Sequence, residues 1–172
     1  MIGALRVVST LVALLLAVVL QTSGLPLLGL PAPTPQIVLV VVASVALCRG
    51  RATGMVMGFV GGLLVDVAPP ADHAIGRFAL SYCVAGYILG ALRREGRRSA
   101  FLPMLLVGVG VLIENLFDAL LGTVFGYVHA SIGHILGGIP LAVLYAVVLT
   151  PFVFPLVAAV DKRLVSYRHA PL

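Results

Sequence analysis

Six apolar segments, separated by short loops, constrain this sequence more than any other feature. They cover about residues 7–24, 35–48, 52–67, 75–92, 101–125 and 132–159. The chain of 172 residues is 61% hydrophobic and only 10% charged, which is more apolar surface than one water-soluble core of this size could bury. We therefore expect an integral membrane protein whose segments are helices. The first segment lacks a small-residue cleavage site, so we expect it to remain as a span.

The lengths of the segments predict an all-α bundle of six transmembrane helices. The second and third are short, because 14 to 16 residues reach about 21–24 Å against a hydrocarbon core of about 30 Å. Pro140, Pro151 and Pro155 fall within the last segment and predict a kink or a break there. We expect residues 1–172 to form a single transmembrane domain that ends in a short cytoplasmic tail from about residue 161.

The basic residues predict the orientation of the bundle. With six spans, all of them except Arg77 lie on one side: Arg6, Arg49, Arg51, Arg93, Arg94, Arg97, Arg98, Lys162, Arg163 and Arg168. By the positive-inside rule this side is the cytoplasm, and both termini lie there. No aromatic residues lie between these basic residues as a platform for bases, which argues against nucleic-acid binding.

A stripe of small residues runs along the third segment. Gly54, Gly58, Gly62 and Asp66 are spaced four apart, so on a helix they lie along one face. In lipid, small residues let a second helix approach closely. The stripe is therefore predicted to dock a helix, either within the bundle or from a partner, and the sequence leaves both destinations open.

Five polar residues are predicted to lie near the outer leaflet: Asp66, Arg77, Glu114, Asn115 and Asp118. An unpaired charge in hydrocarbon costs at least about 2.5–3.5 kcal/mol, so we expect Arg77 to neutralise Asp66 or Asp118. Glu114 could serve in a proton or ion relay or as a structural group. The structural role is favoured, because a relay needs further carboxylates through the membrane.

Catalytic and metal-binding patterns have little support. The sequence has no HExxH, GxSxG or Walker-type motif, so we expect no enzyme activity and no cofactor. His129 and His134 could bind a metal with Asp118, but interfacial histidines are the favoured interpretation. Cys48 and Cys83 lie far apart in or beside apolar segments and are assigned to packing.

The motif around the third and fourth segments resembles the MreD family of rod shape-determining membrane proteins. The resemblance rests on GF at 58–59, Gly62, Asp66, Gly76 and SYCVAGYILG at 81–90. Glu114 also falls where that family tends to carry a carboxylate. The sequence departs from the family pattern in two extra residues around the PPADH loop and in Asp118.

The resemblance implies a non-enzymatic membrane scaffold of the bacterial Rod complex, or elongasome. Such a protein lies in the cytoplasmic membrane as a multi-pass protein and supports cell shape and lateral peptidoglycan synthesis of the cell wall. The implied partners are MreC and, indirectly, MreB, RodA and a class B penicillin-binding protein. The implied fold is a compact six-helix bundle similar to transporter S-components. The transmembrane helix of MreC is one candidate occupant of a docking face made by Gly54, Gly58, Phe59, Gly62 and Asp66.

An alternative function from another class is the small-molecule (vitamin) binding subunit of an energy-coupling-factor transporter, which would share this fold. It would need an external pocket, which Tyr127, His129 and His134 could line. The chain has no tryptophan and is only 7% aromatic, which weakens a pocket for a planar vitamin.

Overall fold

The computed structural model describes residues 2–25, 35–69, 76–93, 101–124 and 132–166. These residues form six α-helices and no strand: α1 (Ile2–Val19), α2 (Ile37–Arg49), α3 (Arg51–Val67), α4 (Arg77–Ala91), α5 (Leu102–Val124) and α6 (Ile132–Ser166). A π-helical turn over Leu20–Gly24 extends α1. The predicted all-helical membrane protein is confirmed, and helix ends lie within a few residues of those predicted except at the ends of α1 and α6.

Three of the helices are long and apolar enough to cross a bilayer. Their apolar stretches are Leu5–Gly24, Leu102–Leu121 and Gly137–Arg163, while α2 and α4 are apolar but shorter. Of the loops between the apolar segments, residues 26–34, 70–75 and 94–100 lie outside the described residues.

α2 is the central helix of the bundle. It contacts each of the other five helices, and every residue from Ile37 to Leu47 is buried. A helix that is apolar on all sides is typical of such a position, since no face is left for water or headgroups. At about 1.5 Å per residue, its 13 residues span only about 20 Å, and the surrounding helices cover this short element.

A one-residue turn joins α2 to α3. Gly50 has a φ of 99°, a conformation that residues with a side chain rarely adopt. The two helices then run antiparallel, because Gly54 lies against Ala46 while Gly61, further along α3, lies against Val42 and Val38. α3 also packs against α4. It therefore has an inner face, which contacts α2 and α4, and an outer face.

α6 is continuous from Ile132 to Ser166, and its three internal prolines do not end it. Of the predicted kink or break, the break is therefore wrong. A proline removes one backbone donor, but a membrane helix tolerates this loss where neighbouring groups satisfy the freed carbonyl. All three prolines lie on exposed positions of the helix, where their rings do not meet a neighbouring helix. Residues 161–166, placed in the predicted tail, are helical.

Candidate functional site

The glycine stripe of α3 lies directly against the backbone of α4. A Cβ atom built on each of the three glycines would lie 2.2–2.3 Å from a carbonyl oxygen of α4: Gly54 on Gly86, Gly58 on Tyr82, and Gly62 on Phe78. Only residues without a side chain permit this approach. In the structure the glycine stripe therefore faces α4, within the bundle.

Phe59 does not share the glycine face. Gly58 beside it is buried, whereas Phe59 is 49% exposed on the outer surface of α3. Consecutive helical residues lie about 100° apart around the axis, so a residue next to the stripe points elsewhere. The five positions predicted for helix docking therefore divide into four inner ones and one outer one.

Asp66 joins the end of α3 to the start of α4. Its side chain is fully buried and accepts hydrogen bonds from the backbone N–H groups of Gly76 (3.0 Å), Phe78 (3.1 Å) and Ala79 (3.0 Å). The first N–H groups of a helix have no partner within it, and a carboxylate there is also favoured by the helix dipole. Asp66 therefore caps α4 from the neighbouring helix.

Arg77 binds Asp118, which connects α4 to α5. The Nε and Nη2 atoms of Arg77 donate to the two carboxylate oxygens of Asp118, the bidentate geometry that makes such pairs strong and directional. Both side chains are about four-fifths covered. The structure thus places Arg77 with Asp118, one of the two partners named from the sequence.

Glu114 lies one helical turn before Asp118 and is 1% exposed. Asn115 Nδ2 donates to Glu114 Oε2 (3.0 Å) and also to the carbonyl of Val111 (2.9 Å). Glu114 lies near the side chain of Gln36, at the start of α2. Glu114 is thus buried inside the bundle, where α5 approaches the start of the central helix.

A second polar cluster, which the sequence analysis missed, lies at the opposite end of the bundle. Arg49 Nε donates to Asp161 Oδ1 (2.9 Å) and Arg49 Nη1 to Thr10 Oγ1 (2.8 Å), while Arg6 Nη2 lies 3.1 Å from the same Asp161 oxygen. The positive-inside rule explains these arginines only as topology signals. One signal could have found the cluster: Asp161 is the acidic residue that directly precedes a basic pair, Lys162 and Arg163.

Two cavities adjoin this cluster. The arginine cavity, of about 300 Å³, is lined by Arg6, Val7, Cys48, Arg49, Thr53, Met57, Arg93 and Asp161. The apolar groove, of about 320 Å³, runs between α1, α2 and α6 and is lined mainly by alanine, valine and leucine side chains. Arg49 lines both, so the two cavities are neighbours.

Some predicted features lie outside the described part of the chain. Tyr127 and His129 are not among the described residues, and only the backbone of His134 is described. The external vitamin pocket and the histidine metal site therefore stay predictions. Cys48 and Cys83 are each half-buried.

The chain matches a known protein family over most of its length. The family described as rod shape-determining protein MreD matches residues 1–162. No curated protein and no solved structure matches the chain.

Proposed function

The chain belongs to the MreD family and so to the rod shape-determining system, and on this premise we propose that it is a non-enzymatic scaffold that docks the transmembrane helix of MreC. In this role it supports lateral peptidoglycan synthesis together with MreB, RodA and a class B penicillin-binding protein. The membrane is the bacterial cytoplasmic membrane.

We infer the location of the MreC contact from those predicted docking residues that contacts within the bundle do not explain. Gly54, Gly58, Gly62 and Asp66 are explained by their contacts with α4. Phe59, the remaining residue of the predicted docking set, is half-exposed and no internal contact of α3 with α4 requires it. The exposure of Phe59 is the observation that carries the proposal, in which a partner helix docks on the outer face of α3.

The outer face of α3 has the form of a helix-docking surface. Its exposed large residues follow the helical spacing of three and four: Val56, Phe59, Leu63 and Val67. Because α3 is held to α4 by backbone contact along its opposite face, the outer face is presented on a rigid support. Helices in lipid associate through such packing and not through the hydrophobic effect.

The proposed orientation has both termini in the cytoplasm. Arg6, Arg49 and Arg93 line one cavity with Asp161, so the basic ends of α1, α2, α4 and α6 meet at the same end of the bundle. Arg77 lies with Asp118 at the start of α4. This distribution supports placing the arginine end in the cytoplasm.

The test is co-purification of MreC with Phe59→Ala. We expect this variant to recover markedly less MreC than the unmodified protein, at equal yield and unfolding stability, because a large part of the outer face is removed. The matched control is Phe152→Ala, which removes an outward-facing phenylalanine of α6 that is 72% exposed, and it should recover MreC normally. Equal recovery of MreC by both variants would refute the docking face.

Gly58→Leu is not a suitable test of partner binding. A side chain at this position would strike the backbone of Tyr82 and separate α3 from α4. A lower recovery of MreC with this variant would then reflect the disrupted packing of α3 on α4.

A further inference from the structure

The arginine cavity and the apolar groove together are complementary to an amphiphile, a molecule with a charged end and an apolar chain. We propose that they form one site for an anionic phospholipid, with the phosphate among the arginines and one acyl chain in the groove. The site lies between α1, α2, α3 and α6, with Arg93 following α4. From α3 it uses Thr53 and Met57 and none of the four residues assigned to the outer face.

The cavity carries an excess of positive charge. Arg6, Arg49 and Arg93 line it with a single carboxylate, Asp161. Arg6 and Arg49 both contact the same oxygen of that carboxylate, at 3.1 and 2.9 Å. Two guanidinium groups thus share one acceptor atom, and the third arginine adds a further charge. Three arginines and one carboxylate leave a net charge of +2, which a bound anion would reduce.

Arg6 has an unused donor at this place. Its Nε atom is buried and has no hydrogen-bond acceptor among the described residues. A buried donor without an acceptor is energetically unfavourable. Guanidinium groups match phosphate oxygens in a planar, two-bond geometry. Because Arg6 lines the cavity, a phosphate bound there would lie beside its guanidinium group.

The groove has the length and the lining of a hydrocarbon chain. On α1 its lining runs from Ser9 to Leu20, about 17 Å at 1.5 Å per residue. One extended acyl chain can lie along it, in contact with apolar side chains of three helices.

The direction of the groove matches a lipid in the bilayer. α1 and α2 are antiparallel, since Thr10 contacts Arg49 at one end and Gln21 accepts from the N–H of Val38 near the other. The groove therefore begins at Arg49 and runs along the helices toward Leu20 and Ile37. With the arginine end in the cytoplasm, the lipid belongs to the cytoplasmic leaflet, which carries anionic headgroups.

The first experiment measures lipid binding to the full-length protein by native mass spectrometry. We expect phosphatidylglycerol to bind more tightly than phosphatidylcholine. Arg6→Gln and Arg93→Gln should each weaken phosphatidylglycerol about tenfold, the effect of losing one charge-assisted hydrogen bond. The matched control is Arg51→Gln, an exposed arginine at the same end of the bundle that lines neither cavity, and it should bind as the unmodified protein does.

The second experiment tests the groove. Ala13 lines it, so Ala13→Phe should fill it and reduce phosphatidylglycerol binding, whereas Val12→Phe, on the outward face of the same helix, should not. Equal binding of both lipids, or unchanged binding in the arginine variants, would overturn the proposal. So would stabilisation by inorganic phosphate equal to that by the lipid, or loss of MreC from Ala13→Phe with lipid binding intact.

Discussion

The close contact between α3 and α4 predicts that Gly58→Ala destabilises the bundle. The added Cβ would lie 2.2 Å from the carbonyl oxygen of Tyr82 and 2.7 Å from its carbon. Both atoms belong to the backbone, so no rotation of a side chain can relieve the clash. To reach an ordinary contact of 3.4 Å, the two helices must separate locally by about 1.2 Å.

The magnitude follows from two opposed effects. Forcing extra atoms into a packed interface costs about 1–3 kcal/mol, whereas replacing glycine by alanine within a helix gains up to about 1 kcal/mol. Gly137 provides the control, because a Cβ there meets nothing within 4 Å and only the helical gain applies. Gly58→Ala is thus expected to be about 1–3 kcal/mol less stable than Gly137→Ala.

The assay is reversible unfolding in mixed micelles with increasing SDS, followed by circular dichroism. Gly61→Ala should fall between the other two variants, because its Cβ would meet side-chain methyl groups at 3.1–3.3 Å, at a longer distance than the backbone contact of Gly58. A difference below about 0.5 kcal/mol between Gly58→Ala and Gly137→Ala, the usual scatter of surface substitutions, would show that α3 and α4 do not rely on backbone contact.

Two further predictions concern the polar contacts of α4. Asp66→Ala should lower the unfolding free energy by about 1.5–3 kcal/mol or more, the scale of a hydrogen bond to a charged group, because it leaves three backbone donors of α4 without their acceptor. Asp66→Asn, which keeps one acceptor oxygen, should lose less in the same unfolding assay, and equal stability of both variants and the unmodified protein would contradict the capping role. For the Arg77–Asp118 pair, either single alanine variant leaves a charge unpaired in the bundle, so the double variant should be more stable than the sum of the single losses by about 0.5–3 kcal/mol. Strict additivity in this double-mutant cycle would mean that the two side chains are not coupled.

The helices themselves could be predicted from the sequence because their causes are local. An apolar segment in lipid must satisfy its own backbone hydrogen bonds, and it does so as a helix whatever its neighbours are. The predicted segments 35–48 and 101–125 accordingly match Ile37–Arg49 and Leu102–Val124 closely. The spacing of Gly54, Gly58 and Gly62 likewise determines that they share one face.

What that face touches, and which charges meet, was decided by the tertiary structure. The sequence could not choose between Asp66 and Asp118 as the partner of Arg77, or place Asp161 of α6 beside Arg49 of α2. Such pairs join residues far apart in sequence. They depend on which helices become neighbours, and that arrangement is set by the packing of all the helices around α2 at once.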